Sequence, residues 1–76
     1  MTDKETKLRQ IRNELGVSQE VVARRTNITI GTYRRAENGL PVNYSTAQEI
    51  LRAINGLLKE FNRPEISLED LDLRLT

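Results

Sequence analysis

Six positions in one seven-residue strip carry most of the chemistry this chain can do: Thr29, Ile30, Gly31, Thr32, Arg34 and Arg35. Hydroxyls, methyl groups and two guanidinium groups make a surface for recognition, not for breaking bonds. The chain has no histidine and no cysteine. Disulfides and thiolate metal sites are therefore excluded, and no imidazole is available as acid or base. Glu69, Asp70 and Asp72 form the one cluster that suggests a divalent metal. Three acids near a chain end also read as a helix start or a solvated charge run. Without a Gly-rich phosphate loop or the other parts of a catalytic site, neither an enzyme nor a cofactor is expected.

The strip needs elements to hold it. Residues 19–38 read QEVVARRTNITIGTYRRAEN, two helical patterns about a three-residue break. The first runs from Ser18 to about Arg25, and the second from about Ile30 to Glu37. Ser18 and Thr29 can cap them, because a hydroxyl accepts from a free amide of the first turn. Thr26, Asn27 and Ile28 form the link. So short a link predicts a helix-turn-helix. Asn27 falls at its tight point, where a left-handed backbone is expected. Val22, Ile28, Tyr33 and Ala36 would face a shared core, beside the small Ala23. Gln19, Thr29, Ile30, Gly31, Thr32, Arg34 and Arg35 would point elsewhere.

The stretch resembles the helix-turn-helix of the Xre/Cro-like family, which includes phage repressors and many small bacterial regulators. Leu8, Ile11, Arg12 and Leu15 match the family's first helix. Gly16-Val17-Ser18-Gln19-Glu20 matches the start of the second, and Val22-Ala23 its usual Leu-Ala. Ala36-Glu37-Asn38-Gly39 matches the end of the recognition helix and the loop beyond. The resemblance spans roughly residues 7–58. It implies an all-α, compact four- to five-helix bundle of the lambda-repressor-like kind. It also implies that Arg12 pairs with Glu37 as a scaffold salt bridge. An Arg beside an apolar stripe needs a partner; the alternative is a solvated head whose stem covers apolar surface.

Seventy-six residues suffice for one small domain, with a core over 7–62 and a segment 63–76 that is a short helix or tail. The net charge is only +1, but it is unevenly spread. Residues 1–38 carry eight Lys or Arg against five acids; residues 39–76 carry four against six. A polyanion would be met by the first half, although an ordinary solvated surface explains the charge alone. The N-terminus is charged, unlike a signal peptide, and nothing approaches a membrane span. A cytoplasmic protein of bacterial or phage type is expected.

Along the chain, Thr2 and Glu5 have capping-box spacing and predict a first helix from near Asp3. Leu8, Ile11 and Leu15 give it an inner stripe, Gly16 ends it, and Val17 can fold back on it. Pro41 marks a loop over 40–44. The loop lacks the Lys or Arg that many relatives carry there, leaving Asn38 and Asn43 as polar candidates. Ser45 and Gln48 have the spacing to start a fourth helix. Its stripe of Ile50, Leu51, Ile54, Leu57, Leu58 and Phe61 runs past Gly56 and predicts continuation to about Asn62. A Gly inside a helix costs only about 1 kcal/mol. Ser67 predicts a short helix over about 68–73, while the alternation of residues 71–75 also allows a strand. Eleven Ile, Leu or Phe residues lie from Ile50 onward. That number predicts an exposed surplus and dimerisation through the C-terminal third, against a tail folded over its own core.

In a helix-turn-helix the second helix enters the major groove of double-stranded DNA. Thr29, Ile30, Gly31 and Thr32 would then meet base edges. Thr hydroxyls discriminate weakly, and Ile30 and the Thr methyls suit a thymine methyl. Arg35 aligns with a family position that often reads a base, and Arg34 is placed nearer the backbone. Both can instead grip phosphates. Gly31 removes one base contact and can let the groove approach closely. Gln19 and Asn38 are phosphate candidates, Arg25 a weaker one. The expected function is sequence-specific DNA binding by a small regulator, a repressor, working as a homodimer on a palindromic operator. The alternative is an antitoxin or protein-interaction adaptor on the same scaffold.

Overall fold

The computed structural model describes residues 6–76. Five helices appear in the order α1 (Lys7–Leu15), α2 (Gln19–Arg24), α3 (Ile30–Glu37), α4 (Tyr44–Glu60) and α5 (Leu68–Leu71). The architecture is all-α, as the sequence pattern implies. None of these helices is long and apolar enough to cross a membrane.

Caps set most of the boundaries. The Thr6 hydroxyl accepts from the Arg9 amide and caps α1 at Lys7; the expected start near Asp3 lies outside the described residues. Thr2 and Glu5, expected to form a capping box, lie outside the described residues. Gly16, at φ 75°, closes α1 by donating to the Arg12 and Asn13 carbonyls. Ser18 and Thr29 accept from the Val21 and Thr32 amides, giving α2 and α3 their expected starts. Asn43 caps α4 by accepting from the Thr46 amide, two residues ahead of the expected Ser45 start. Ser45 instead donates its hydroxyl to Asn43 Oδ1, so the expected Ser45–Gln48 box does not form.

The α2–α3 turn closes without a left-handed residue. Among the described non-Gly residues only Asn62 and Asp72 have positive φ. The Thr26 hydroxyl makes the turn: it donates to the Ala23 carbonyl at 2.6 Å and accepts from the Ile28 amide at 3.2 Å. Asn27 is held by its own amide, which donates to Glu49. The left-handed Asn is Asn62, where α4 ends. There the Arg63 amide donates to the Leu58 carbonyl and the Asn62 amide to that of Lys59. This is the Schellman pattern.

Gly56 lies inside α4, which runs unbroken to Glu60. The core is drawn from every helix: Leu8 and Leu15, Val22 and Ala23, Tyr33 and Ala36, Ile50, Ile54, Leu57 and Leu58, and Leu71. Val42 joins it from the loop.

The C-terminal segment folds back on this core. The Asn55 side chain donates to the Ile66 carbonyl and accepts from its amide, at 3.0 and 2.8 Å. Leu71 is fully buried, and Ile66, Leu68 and Leu73 pack partly buried beside it. α5 ends at Leu71, not near residue 73, because Asp72 turns left-handed. The chain then runs beside Val42, whose amide donates to the Arg74 carbonyl and whose carbonyl accepts from Thr76. Residues beyond α5 thus make one parallel bridge, Val42 to Leu75, a fragment of the strand alternative. The expected apolar surplus is therefore spent internally. Of the eleven apolar residues from Ile50 onward, only Phe61 (48 %) and Leu75 (45 %) stay exposed.

Candidate nucleic-acid interface

The site is built outward from one buried carboxylate. Glu37 ends α3 and is fully buried. It accepts from Arg12 Nε at Oε2, and from Arg12 Nη2 at Oε1 over 3.2 Å. The Tyr33 hydroxyl donates to Oε2 at 2.7 Å, and Gln19 Nε2 donates to Oε1 at the same distance. Arg12 also donates through Nη1 to the Val17 carbonyl. The pair therefore ties α1, the α1–α2 loop and the end of α3 together. Thr6 adds a second link, its hydroxyl donating to the Glu37 carbonyl.

Charges in the cluster shift as this geometry requires. Burial alone would raise the Glu37 carboxyl, but hydrogen bonds from Arg12, Tyr33 and Gln19 outweigh it and hold it below its ordinary range. The hydrogen bond to Glu37 raises the Arg12 guanidinium despite burial. Burial, then the adjoining carboxylate, pushes the Tyr33 hydroxyl far above its ordinary value.

The network reaches the surface through Gln19. Its Oε1 accepts from Arg34 Nε at 3.2 Å. Arg34 is exposed but tethered, and it keeps its two terminal amino groups free of that bond. Arg35 is exposed one residue on. Thr29 and Gly31 are exposed as well, while Thr32 and Ile30 are half-buried. Ile30 packs partly against the core, so its side chain is shared between interior and surface. The Thr29 hydroxyl donates to Thr32 Oγ1 and accepts from the Thr32 amide, which leaves the Thr32 hydroxyl hydrogen free to face outward. Asn38 is exposed, and its Oδ1 accepts from Arg9 Nη2 at 2.7 Å. Asn43 is spent on its cap. Arg25 is spent on Glu60, with contacts of 2.8 and 3.0 Å.

The structure thus gathers Gln19, Arg34, Arg12, Glu37 and Asn38 into one network, and leaves Thr29, Gly31 and Arg35 on the open side of α3. Two further members were not expected in the site: Arg9 was not singled out from the sequence, and Tyr33 was expected only to face the core. Arg9 precedes Arg12 by three and Tyr33 precedes Glu37 by four, so each shares a helical face with a residue that was singled out. At the other end of the chain, the Asp70 carboxylate accepts from the Ser67 amide and hydroxyl. Among the described residues no three acids stand close enough to hold a metal ion.

α5 packs on α4 and α1. The last residues run beside Val42. The helix-turn-helix face is left uncovered by that tail, with Thr29, Gly31, Arg34 and Arg35 all exposed. Neither the curated proteins nor the solved structures gave a match to this chain. The model of the family described as Helix-turn-helix matches residues 8–61. That span holds α1 to α4, the capped turn and the buried Glu37, so the chain belongs to the Xre/Cro-like helix-turn-helix family, whose members are DNA-binding transcription regulators.

Proposed function

We propose that the protein binds double-stranded DNA sequence-specifically, with α3 in the major groove, and regulates transcription as a repressor. The observation that carries this reading is the open strip from Thr29 to Arg35, flanked by the Arg34 and Arg35 guanidinium groups. Thr32 and Ile30 offer a hydroxyl and a methyl surface at the start of α3, the part of a recognition helix that meets base edges. Repression by occupancy needs nothing beyond that surface. Two copies on a palindromic operator, with half-sites about 34 Å apart, would double the phosphate and base contacts of one small domain.

The test is selection of bound duplexes from a random pool, with Arg35→Ala as the variant. If Arg35 pairs with a guanine, the variant loses preference at one base pair, by about 1–3 kcal/mol. Uniform weakening with a shallower salt dependence assigns Arg35 to a phosphate. Failure of the wild type to bind any duplex at low salt would sink the reading and favour the adaptor. Sedimentation of the complex gives the number of chains per operator.

Gly31 supplies a second check. A Cβ built there meets only the Thr29 hydroxyl, at 3.9 Å. Gly31→Ala is therefore expected to stabilise the fold by about 0.4–1 kcal/mol through the unfolded chain. Operator affinity is expected to fall, because the methyl group stands between α3 and the groove floor. A melt and a binding isotherm on the same variant separate the two effects. A gain in stability with no loss of affinity would show that the groove stays clear of Gly31.

A further inference from the structure

The Glu37 cluster holds more positive charge than its carboxylate needs. Two donors from Arg12, one from Tyr33 and one from Gln19 already reach the two oxygens. A carboxylate has about four lone-pair sites, so this one is full. Arg9 nevertheless stands with Nε 3.5 Å from Oε1, and its side chain is 32 % exposed. It is a second guanidinium beside a charge that Arg12 has neutralised.

Both side-chain amide oxygens of this surface already accept from an arginine within the fold. Arg9 donates to Asn38 Oδ1, and Arg34 donates to Gln19 Oε1. Each amide is thereby turned so that its oxygen faces an arginine. The donors left for solvent are the Asn38 amino group, one N–H of Gln19, and the unspent N–H groups of Arg9 and Arg34. Residues 34 and 38 lie one helical turn apart, so the two arginine–amide pairs adjoin on one side of α3. The result is a positively charged face on which donors outnumber acceptors.

A cationic face rich in donors suits a ligand of acceptors without donors, which describes a phosphodiester. We infer that Arg9 is a phosphate-contacting residue of the DNA interface, acting beside Asn38 at the edge of α3. The role rests on the DNA-binding reading above. Arg9 belongs to α1 and not to the recognition helix, so its contact positions the protein and carries no sequence information.

Salt titration of duplex binding tests this, with wild type, Arg9→Met, Arg9→Lys and a control, Arg52→Met, at a 76 % exposed side chain on α4. Arg9→Met is expected to weaken all duplexes alike, on the order of four- to eightfold near 0.1–0.2 M salt. The slope of log affinity against log salt should shrink by about one. Arg9→Lys should keep the slope, and Arg52→Met should change nothing. A second measurement needs no variant: the Arg9 side-chain Nε–H NMR signal of the wild type should shift on adding duplex, and that of Arg52 should not. An unmoved Arg9 signal overturns the inference. So does an Arg9→Met protein that melts lower with its salt slope intact, since Arg9 is then only a counter-ion for Glu37. Altered preference at one base pair also overturns it, in favour of base reading. If the wild type binds no duplex, the DNA-binding reading itself has failed and the role of Arg9 goes with it; additive failure of Arg9 alone leaves that reading standing.

Discussion

Glu37→Gln is expected to lower the unfolding free energy by about 3–5 kcal/mol, the range for removing one partner of a buried ion pair. Glutamine keeps the shape but removes the charge. Arg12, only 14 % exposed, is then left with an uncompensated guanidinium. The new amide also brings donors to a place where Arg12, Tyr33 and Gln19 all donate already. Small domains have about 5–15 kcal/mol in total, so the loss takes a large share of it. Near 4–8 °C per kcal/mol, the melting midpoint should drop by well over ten degrees. The exposed pairs Arg25–Glu60 and Arg63–Glu14 set the contrast, because water screens them and their loss should scarcely register. A thermal melt of Glu37→Gln within a few degrees of wild type would mean that the cluster does not hold the helices together.

The same carboxylate fixes the direction of the pH dependence. Its folded value lies below the unfolded one, so its contribution is present above about pH 4.3 and is lost as the pH falls through the lowered folded value. Tyr33 works in the opposite sense. Its hydroxyl is raised on folding, so its contribution is present below about pH 10 and fades as the pH climbs beyond that. Stability measured by urea unfolding should therefore fall on both flanks. The acid flank should flatten in Glu37→Gln, and the alkaline flank in Tyr33→Phe.

How much of this could be read from the residues depended on how local the deciding contact was. The caps at Ser18 and Thr29 involve a hydroxyl and an amide three residues away, and both were legible. The passage of α4 through Gly56 was legible because the apolar stripe continues on either side. Asn27 misled, since a neighbouring Thr26 hydroxyl closes the turn with an ordinary backbone. Ser45 misled because Asn43, two residues earlier, is an equally good cap and takes the role. The Arg12–Glu37 contact crosses 25 residues, and its partner choice came from resemblance and not from spacing. Arg9 was illegible for the same reason: nothing in its own neighbourhood says that a buried carboxylate will lie opposite. The apolar count after Ile50 was correct as a number and wrong as a surface, because a count cannot say which residues a returning tail will cover.

That returning tail carries the other large expected effect. Leu71→Ala should cost about 2–5 kcal/mol, the range for truncating a fully buried leucine. α5 has four residues and cannot be stable by its own hydrogen bonds. It persists because Leu71 fills a place between α1 and α4, with the Asn55–Ile66 pairing on one side and the Val42 bridge on the other. Removing the side chain leaves a cavity and loosens the attachment of residues 66–76, so the denaturant midpoint should fall at every protein concentration by the same amount. A tail that instead served as an arm between two copies would give a different pattern. The midpoint would then depend on concentration, and Leu71→Ala would act by dissociating the pair before unfolding it. Urea titrations at two concentrations a hundredfold apart decide between these, since only an intermolecular contact obeys mass action.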